Sequence, residues 1–146
     1  MRRSSLCPLL ALLVLLLTPV ARAEVIYLQL ELRRDGKVVG QPQLVGETGK
    51  ALKAVRRAPG AVQPDWSLQL MPRAEGDHYE LQLGLEIGER RGHSDVSLDH
   101  GQRRQVRLEG NDELEVRVLL MRVDSPEFRA LMDLPPEPRE GPARSI

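Results

Sequence analysis

The residues that could do chemistry are few. His78, His93 and His100 each have an aspartate close by in sequence, Asp77, Asp95 and Asp99. A metal ion needs several such side chains to converge. The strand registers expected from the sequence place His78 at the start of a strand, His93 beside a turn and His100 in a loop, so no metal site is expected. His93, Asp95 and Ser97 share one outward strand face and imitate a nucleophilic triad. Residues two apart on a strand are about 7 Å apart, whereas triad members need contact near about 3 Å. No glycine-framed elbow surrounds Ser97. The pattern therefore reads as a polar solvent face, and a hydrolase is the weakest functional reading. Paired carboxylates mostly meet arginines; Glu115 opposite Arg107 is expected as a cross-strand ion pair of about 0.2–1 kcal/mol. No glycine-rich phosphate loop opens a helix. The aromatic residues Tyr27, Trp66, Tyr79 and Phe128 are too few for a sugar-stacking or single-strand nucleic-acid platform. Neither catalysis nor a cofactor is expected.

Two surfaces stand out instead. Gln29 and Gln41 are read as cross-strand neighbours with Gln43 next along, and with Tyr27 they make an uncharged polar face suited to a partner. Leu119 and Met121 point outward while Leu120 points inward. A strand apolar on both sides is usually covered on both. The expected cover is a helix carrying Phe128, Leu131 and Met132 on one face, with a binding partner as the other candidate.

The elements that position these residues follow from a period of two. Ile26, Leu28, Leu30 and Leu32 alternate with Tyr27, Gln29, Glu31 and Arg33. Tyr79, Leu81, Leu83, Leu85 and Ile87 alternate with polar residues, and so do Leu114, Val116, Val118 and Leu120. Such alternation marks half-buried antiparallel strands. Eight are expected, over 25–33, 37–46, 50–56, 66–72, 78–90, 93–98, 102–108 and 113–123.

Glycine sits third in Arg34-Asp35-Gly36, Glu47-Thr48-Gly49 and Asp99-His100-Gly101, where a three-residue hairpin wants a left-handed residue. These loops set Leu32 against Val38, Leu28 against Pro42, Ile26 against Leu44, Leu44 against Leu52, and Val96 against Arg104. An Arg91-Gly92 turn sets Ile87 against Val96 and Leu85 against Leu98. A loop over 73–76 sets Leu70 against Tyr79 and Leu68 against Leu81. A loop over 110–112 sets Val106 against Val116. Residues 57–65, with Pro59, Gly60 and Pro64, are expected to cross between sheets. The fold class is all-β: an antiparallel two-sheet sandwich of hairpin-connected strands, with a small closed barrel as the alternative. The segments Val45–Val55 and Ser97–Val106 form a faint internal repeat. Ser125-Pro126-Glu127 reads as an N-cap, a first-turn proline and a first-turn acid, so a short helix is expected over about 126–133.

Met1-Arg2-Arg3, the apolar run Leu9 to Leu17 and Ala21-Arg22-Ala23 have the layout of a secretory signal peptide cut after Ala23. The run is shorter than the roughly 20 apolar residues that span a bilayer. Ser4-Ser5-Leu6 fits the general secretory route better than the twin-arginine route, and Cys7 precedes the apolar run, which excludes a lipoprotein. Removing residues 1–23 takes 146 residues to 123, one domain by length. It takes the basic residues from 21 to 18 against 21 acidic ones, a net charge of −3. It also removes the one cysteine, so no disulfide and no thiol chemistry remain. That balance does not suit nucleic acid or an anionic membrane. Arginine outnumbers lysine 18 to 3, a bias of GC-rich bacterial genomes that suggests the periplasm. The domain is expected over 24–124, the helix over 125–134 and a disordered proline-rich tail over 135–146.

The run Pro42-Gln43-Leu44-Val45-Gly46-Glu47-Thr48-Gly49-Lys50-Ala51, followed by Trp66-Ser67-Leu68-Gln69-Leu70-Met71-Pro72 and a long alternating strand, resembles the β-rich pattern of bacterial secretins. It is also similar to short uncharacterised periplasmic proteins of proteobacteria. The resemblance implies a place in the cell envelope; the chain lacks a secretin's length and layout, so pore formation is not expected, and no site residues carry over. The leading expectation is a non-enzymatic periplasmic domain that binds another envelope protein by a sheet edge or by the Leu119–Met121 region. A small-ligand carrier with a cavity between the sheets is the alternative.

Overall fold

The computed structural model describes residues 22–133. The expected signal segment up to Ala21, with Cys7, and the expected tail 135–146 lie outside the described residues. Nine strands and one helix follow in order: β1 Val25–Arg34, β2 Lys37–Gly40, β3 Gln43–Glu47, β4 Leu52–Arg56, β5 Trp66–Glu75, β6 His78–Ile87, β7 Arg90–Leu98, β8 Arg103–Arg107, β9 Leu114–Arg122 and α1 Pro126–Asp133. The expected strand over 37–46 is divided at Gln41-Pro42, because proline cannot donate to a ladder.

All pairing is antiparallel and forms two sheets. In sheet A, β1 lies between β9 and a broken edge made of β2 and β3, and β9 is flanked by β8. Sheet B runs β4-β5-β6-β7. The sandwich is therefore the architecture and the closed barrel is not. A lone bridge between His93 and Glu109 joins the two sheets beside β7.

Between the sheets pack Ile26, Leu28, Leu30 and Leu32 of β1, Leu68 and Leu70 of β5, Leu81, Leu83 and Leu85 of β6, and Val116, Val118 and Leu120 of β9. Each fully buried aliphatic side chain contributes about 1.5–3 kcal/mol. These are the residues that the alternation assigns to the interior.

Three hairpin registers differ from expectation. Leu70 faces Leu83, four residues beyond Tyr79, because the turn is the two-residue Gly76-Asp77. Leu85 faces Gly92, six residues before Leu98, because the turn is Gly88-Glu89 rather than Arg91-Gly92. Leu28 faces Leu44, two residues beyond Pro42; the turn is Asp35-Gly36 and the register shifts between Leu32 and Arg33. Two-residue turns prevail because their backbone matches the right-handed twist of the strands. Away from the Asp35-Gly36 turn each shift is an even number, so the same side chains still face inward; beside that turn Val38 faces Arg33 and not the expected Leu32, an odd shift that turns it outward, 47% exposed. Val106 does face Val116, as expected.

The sheet crossings are also not where they were expected. Residues 57–65 join β4 to β5 within one sheet. The chain crosses instead at Thr48-Gly49 and at His100-Gly101, the two matching points of the faint repeat, so Leu44 does not pair with Leu52, nor Val96 with Arg104. Both glycines are left-handed, with φ of 83° and 76°. What makes them corners is the partner of each corner amide. Thr48 N–H donates to Glu24 O (2.9 Å), Gly49 N–H to Pro72 O (2.7 Å) and Gly101 N–H to Leu120 O (2.7 Å). Those acceptors are remote in sequence, so a local reading takes the same residues for hairpins.

Candidate functional site: the outer face of sheet A

The registers lay the outward side chains of sheet A in four rows across the strands. The first is Val45–Tyr27–Met121, the second Gln43–Gln29–Leu119–Arg103 and the third Glu31–Arg117–Gln105. The fourth is Val38–Arg33–Glu115–Arg107. The face thus grades from apolar at one end to ionic at the other. Gln29 is the neighbour of Gln43, not of Gln41, which sits at the break between β2 and β3. The expected pairing of Gln29 with Gln41 is corrected by the same two-residue shift that moved Leu28.

Helix α1 covers the Tyr27–Met121 part of the apolar end and leaves Val45 60% exposed. The Phe128 ring packs on Tyr27 with centroids 5.3 Å apart and planes tilted by 53°. Tyr27 is 4% exposed, although its side chain points away from the interior. Burial raises its phenol above the ordinary value. Leu131 and Met121 are half-buried, while Met132 is half-exposed and contributes little to the cover. The helix starts as its sequence suggests: Ser125 Oγ accepts Phe128 N–H (3.1 Å) and donates to Arg122 O (2.6 Å). This cap fixes where the helix leaves β9.

At the ionic end the polar groups satisfy one another. Glu31 pairs with Arg33, Arg117 Nε donates to Gln105 (3.0 Å), Gln105 donates to Glu115 (2.8 Å), and Arg107 lies 3.2 Å from Glu115. The Arg107–Glu115 pair is the one expected from the alternation.

The second row differs from both ends. Leu119 lies in its middle at 6% exposure. Among the described residues, the side chains of Gln29, Gln41, Gln43 and Arg103 make no hydrogen bond or ion pair. A hollow of about 110 Å³ opens there, lined by Gln29, Glu31, Gln41, Arg103, Arg117 and Leu119. Three of these residues were legible as candidates. Arg103 and Arg117 were not, because their place follows from β9 pairing with β1 across most of the chain.

A polar network beyond the apolar end ties the corners together. Tyr79 OH donates to the Glu24 carboxylate and accepts from Arg122 Nε (2.7 Å). Burial first, then the bond to Glu24, raises the Tyr79 phenol above its ordinary value. Glu24 N–H donates to Thr48 Oγ1 (3.0 Å). His100 Nδ1 accepts Arg122 N–H (2.9 Å), and Nε2 lies 3.1 Å from Glu127. Because Nδ1 accepts, Nε2 carries the proton and donates to Glu127. The Glu127 carboxyl is held below its ordinary value by its own backbone N–H and then by His100.

The residues that imitate chemistry stay apart. His93 lies within β7, not beside a turn; it faces Gly84, and its Nε2 is 3.3 Å from Glu109. Among the described residues no hydrogen bond joins His93, Asp95 and Ser97, nor do three metal-ligating side chains converge. No known protein family, curated protein or solved structure matches the chain.

Proposed function

We propose that the chain is an exported, non-enzymatic sandwich domain that binds another protein of the cell envelope through the outer face of sheet A. The observation that carries this reading is the second row: polar side chains without partners among the described residues surround a hollow over an almost buried leucine, between the part that helix α1 covers and the ion-paired end. Export rests on the arrangement of Met1 to Ala23, and the resemblance to periplasmic proteins points the same way. The interior offers less support for a ligand carrier, since aliphatic side chains fill the space between the sheets.

A photo-crosslinking side chain placed at Gln29 in cells tests the reading. One discrete protein adduct is expected from position 29, and none from Gln82 on the outer face of sheet B. Equal labelling from both positions, or none from either, would count against it. Export is checked separately, by N-terminal sequencing that should begin at Glu24.

A further inference from the structure

The geometry points to the chemistry of the partner: the second row of sheet A is a site for an extended acidic peptide segment, with its carboxylate on Arg103 and an apolar side chain against Leu119. The inference rests on the reading of this face as a protein-binding surface and names what it binds.

Charge is the first argument. The outward charged residues of β1, β3, β8 and β9 are Arg33, Arg103, Arg107 and Arg117 against Glu31, Glu47 and Glu115. All three glutamates are engaged, Glu31 with Arg33 and Arg117, Glu47 with Lys50, and Glu115 with Gln105 and Arg107. Arg103 is the cation on this face without a partner among the described residues, and it closes one end of the hollow. A guanidinium presents a planar fork that matches a carboxylate bidentately. The face is thus basic within a domain whose expected mature charge is negative.

The glutamines supply the second argument. Each side-chain amide offers a donor and an acceptor, the same pair that a peptide group presents. Gln43, Gln29 and Gln41 lie at the end of the row opposite Arg103. They can pair with the main chain of a bound segment without regard to its sequence. Leu119 forms the floor of the hollow between them, and the hollow takes an apolar side chain of the bound segment.

Length is the third. The row crosses four strands, three gaps of about 4.8 Å, or roughly 14 Å. An extended chain covers that distance in about four or five residues at about 3.3 Å each. The ligand class is therefore a short extended stretch in which an apolar residue is followed, within a few positions, by an aspartate, a glutamate or a terminal carboxylate.

Fluorescence anisotropy with the mature chain tests this, using a labelled six-residue peptide of Ser in which one Leu and one Asp stand two positions apart, so that both point to the same side of the extended chain. A second peptide carries Lys in place of Asp. The acidic peptide should bind and weaken as salt is raised, and the lysine peptide should not bind. Arg103→Ala should weaken binding at least about tenfold with an unchanged thermal melt, since the side chain is exposed. Arg91→Ala on sheet B should change nothing. The inference is overturned if the acidic peptide does not bind, if both peptides bind alike, or if Arg103→Ala binds like the wild type. Should the Gln29 crosslink persist while the acidic peptide fails, the surface is a binding face and the assigned chemistry is wrong. If both fail, the functional reading falls with it.

Discussion

The two outer faces of this sandwich are built from strands of the same period and yet they end in different states. On sheet B the outward row Gln69–Gly84–His93 and its neighbour Met71–Gln82–Asp95 face solvent, with Gln69, Gln82, His93 and Asp95 all exposed. On sheet A, Tyr27 and Leu119 are as buried as the interior. The alternation explains sheet B completely. On sheet A it is broken by β9, where Val118, Leu119 and Leu120 are consecutive and all buried. A side chain that faces outward and is still buried needs something on top of it. For Tyr27 that is Phe128; Leu119 lies at the floor of the hollow that Gln29, Gln41, Arg103 and Arg117 line. Period-two patterning defines an interior; its local failure marks where a second surface has been built.

Truncation should expose that difference most strongly. Leu119→Ala should cost about 2–3 kcal/mol in chemical denaturation, as for a buried leucine. Met71→Ala, at a half-buried outward position of sheet B, should cost under about 1 kcal/mol. Equal costs would mean that the two faces are energetically alike. Phe128→Ala comes next, at about 1–2 kcal/mol for the lost ring contact and its area. It should also let the Tyr27 phenol ionise closer to its ordinary value in a spectroscopic titration, whereas Tyr79 should be unaffected. Ser125→Ala removes the cap and should cost about 1 kcal/mol, with loss of helical signal rather than of sheet.

Acid should loosen the cover and not the sandwich. Glu127 has a depressed carboxyl in the folded chain, so its ionised form favours the folded state. That contribution is complete above the unfolded value of 4.5 and is lost as pH falls through the lower folded value. The near-ultraviolet signal of Tyr27 and Phe128 should weaken in that window, and Glu127→Gln should remove the step. The smallest effect is expected at Gly84. A Cβ there meets nothing within 4 Å, so Gly84→Thr should be neutral or stabilising by up to about 1 kcal/mol, through strand propensity. A loss instead would show that the open row of sheet B is occupied.

Much of the site was readable one strand at a time. Tyr27, Gln29, Gln43, Leu119 and Met121 are assigned to an outward face because each alternates with an inward-facing neighbour. Ser125-Pro126-Glu127 announced the helix, and Phe128 announced its inner side. Arg103 could not be placed in the same way. Its position beside Leu119 requires β8 to leave sheet B at His100-Gly101 and pair with β9, and that crossing is enforced by a hydrogen bond from Gly101 to Leu120. Nor could a sequence show that Gly92 must be glycine, where a Cβ would lie 2.6 Å from that of Leu108 at the join between the sheets.

By itself, then, the sequence determined which side of each strand is apolar, how many layers must cover those sides, and where the terminal helix begins. These are local properties: a period of two survives any even shift in register, and a helix cap needs only three or four residues. The tertiary structure decided which glycines are turns and which are corners, which strands are neighbours, and therefore which side chains share a row. Those choices depend on hydrogen bonds between residues about twenty or more positions apart and on side chains that meet only after the two sheets have stacked. The second row of sheet A exists only at that level, since its four residues come from four different strands.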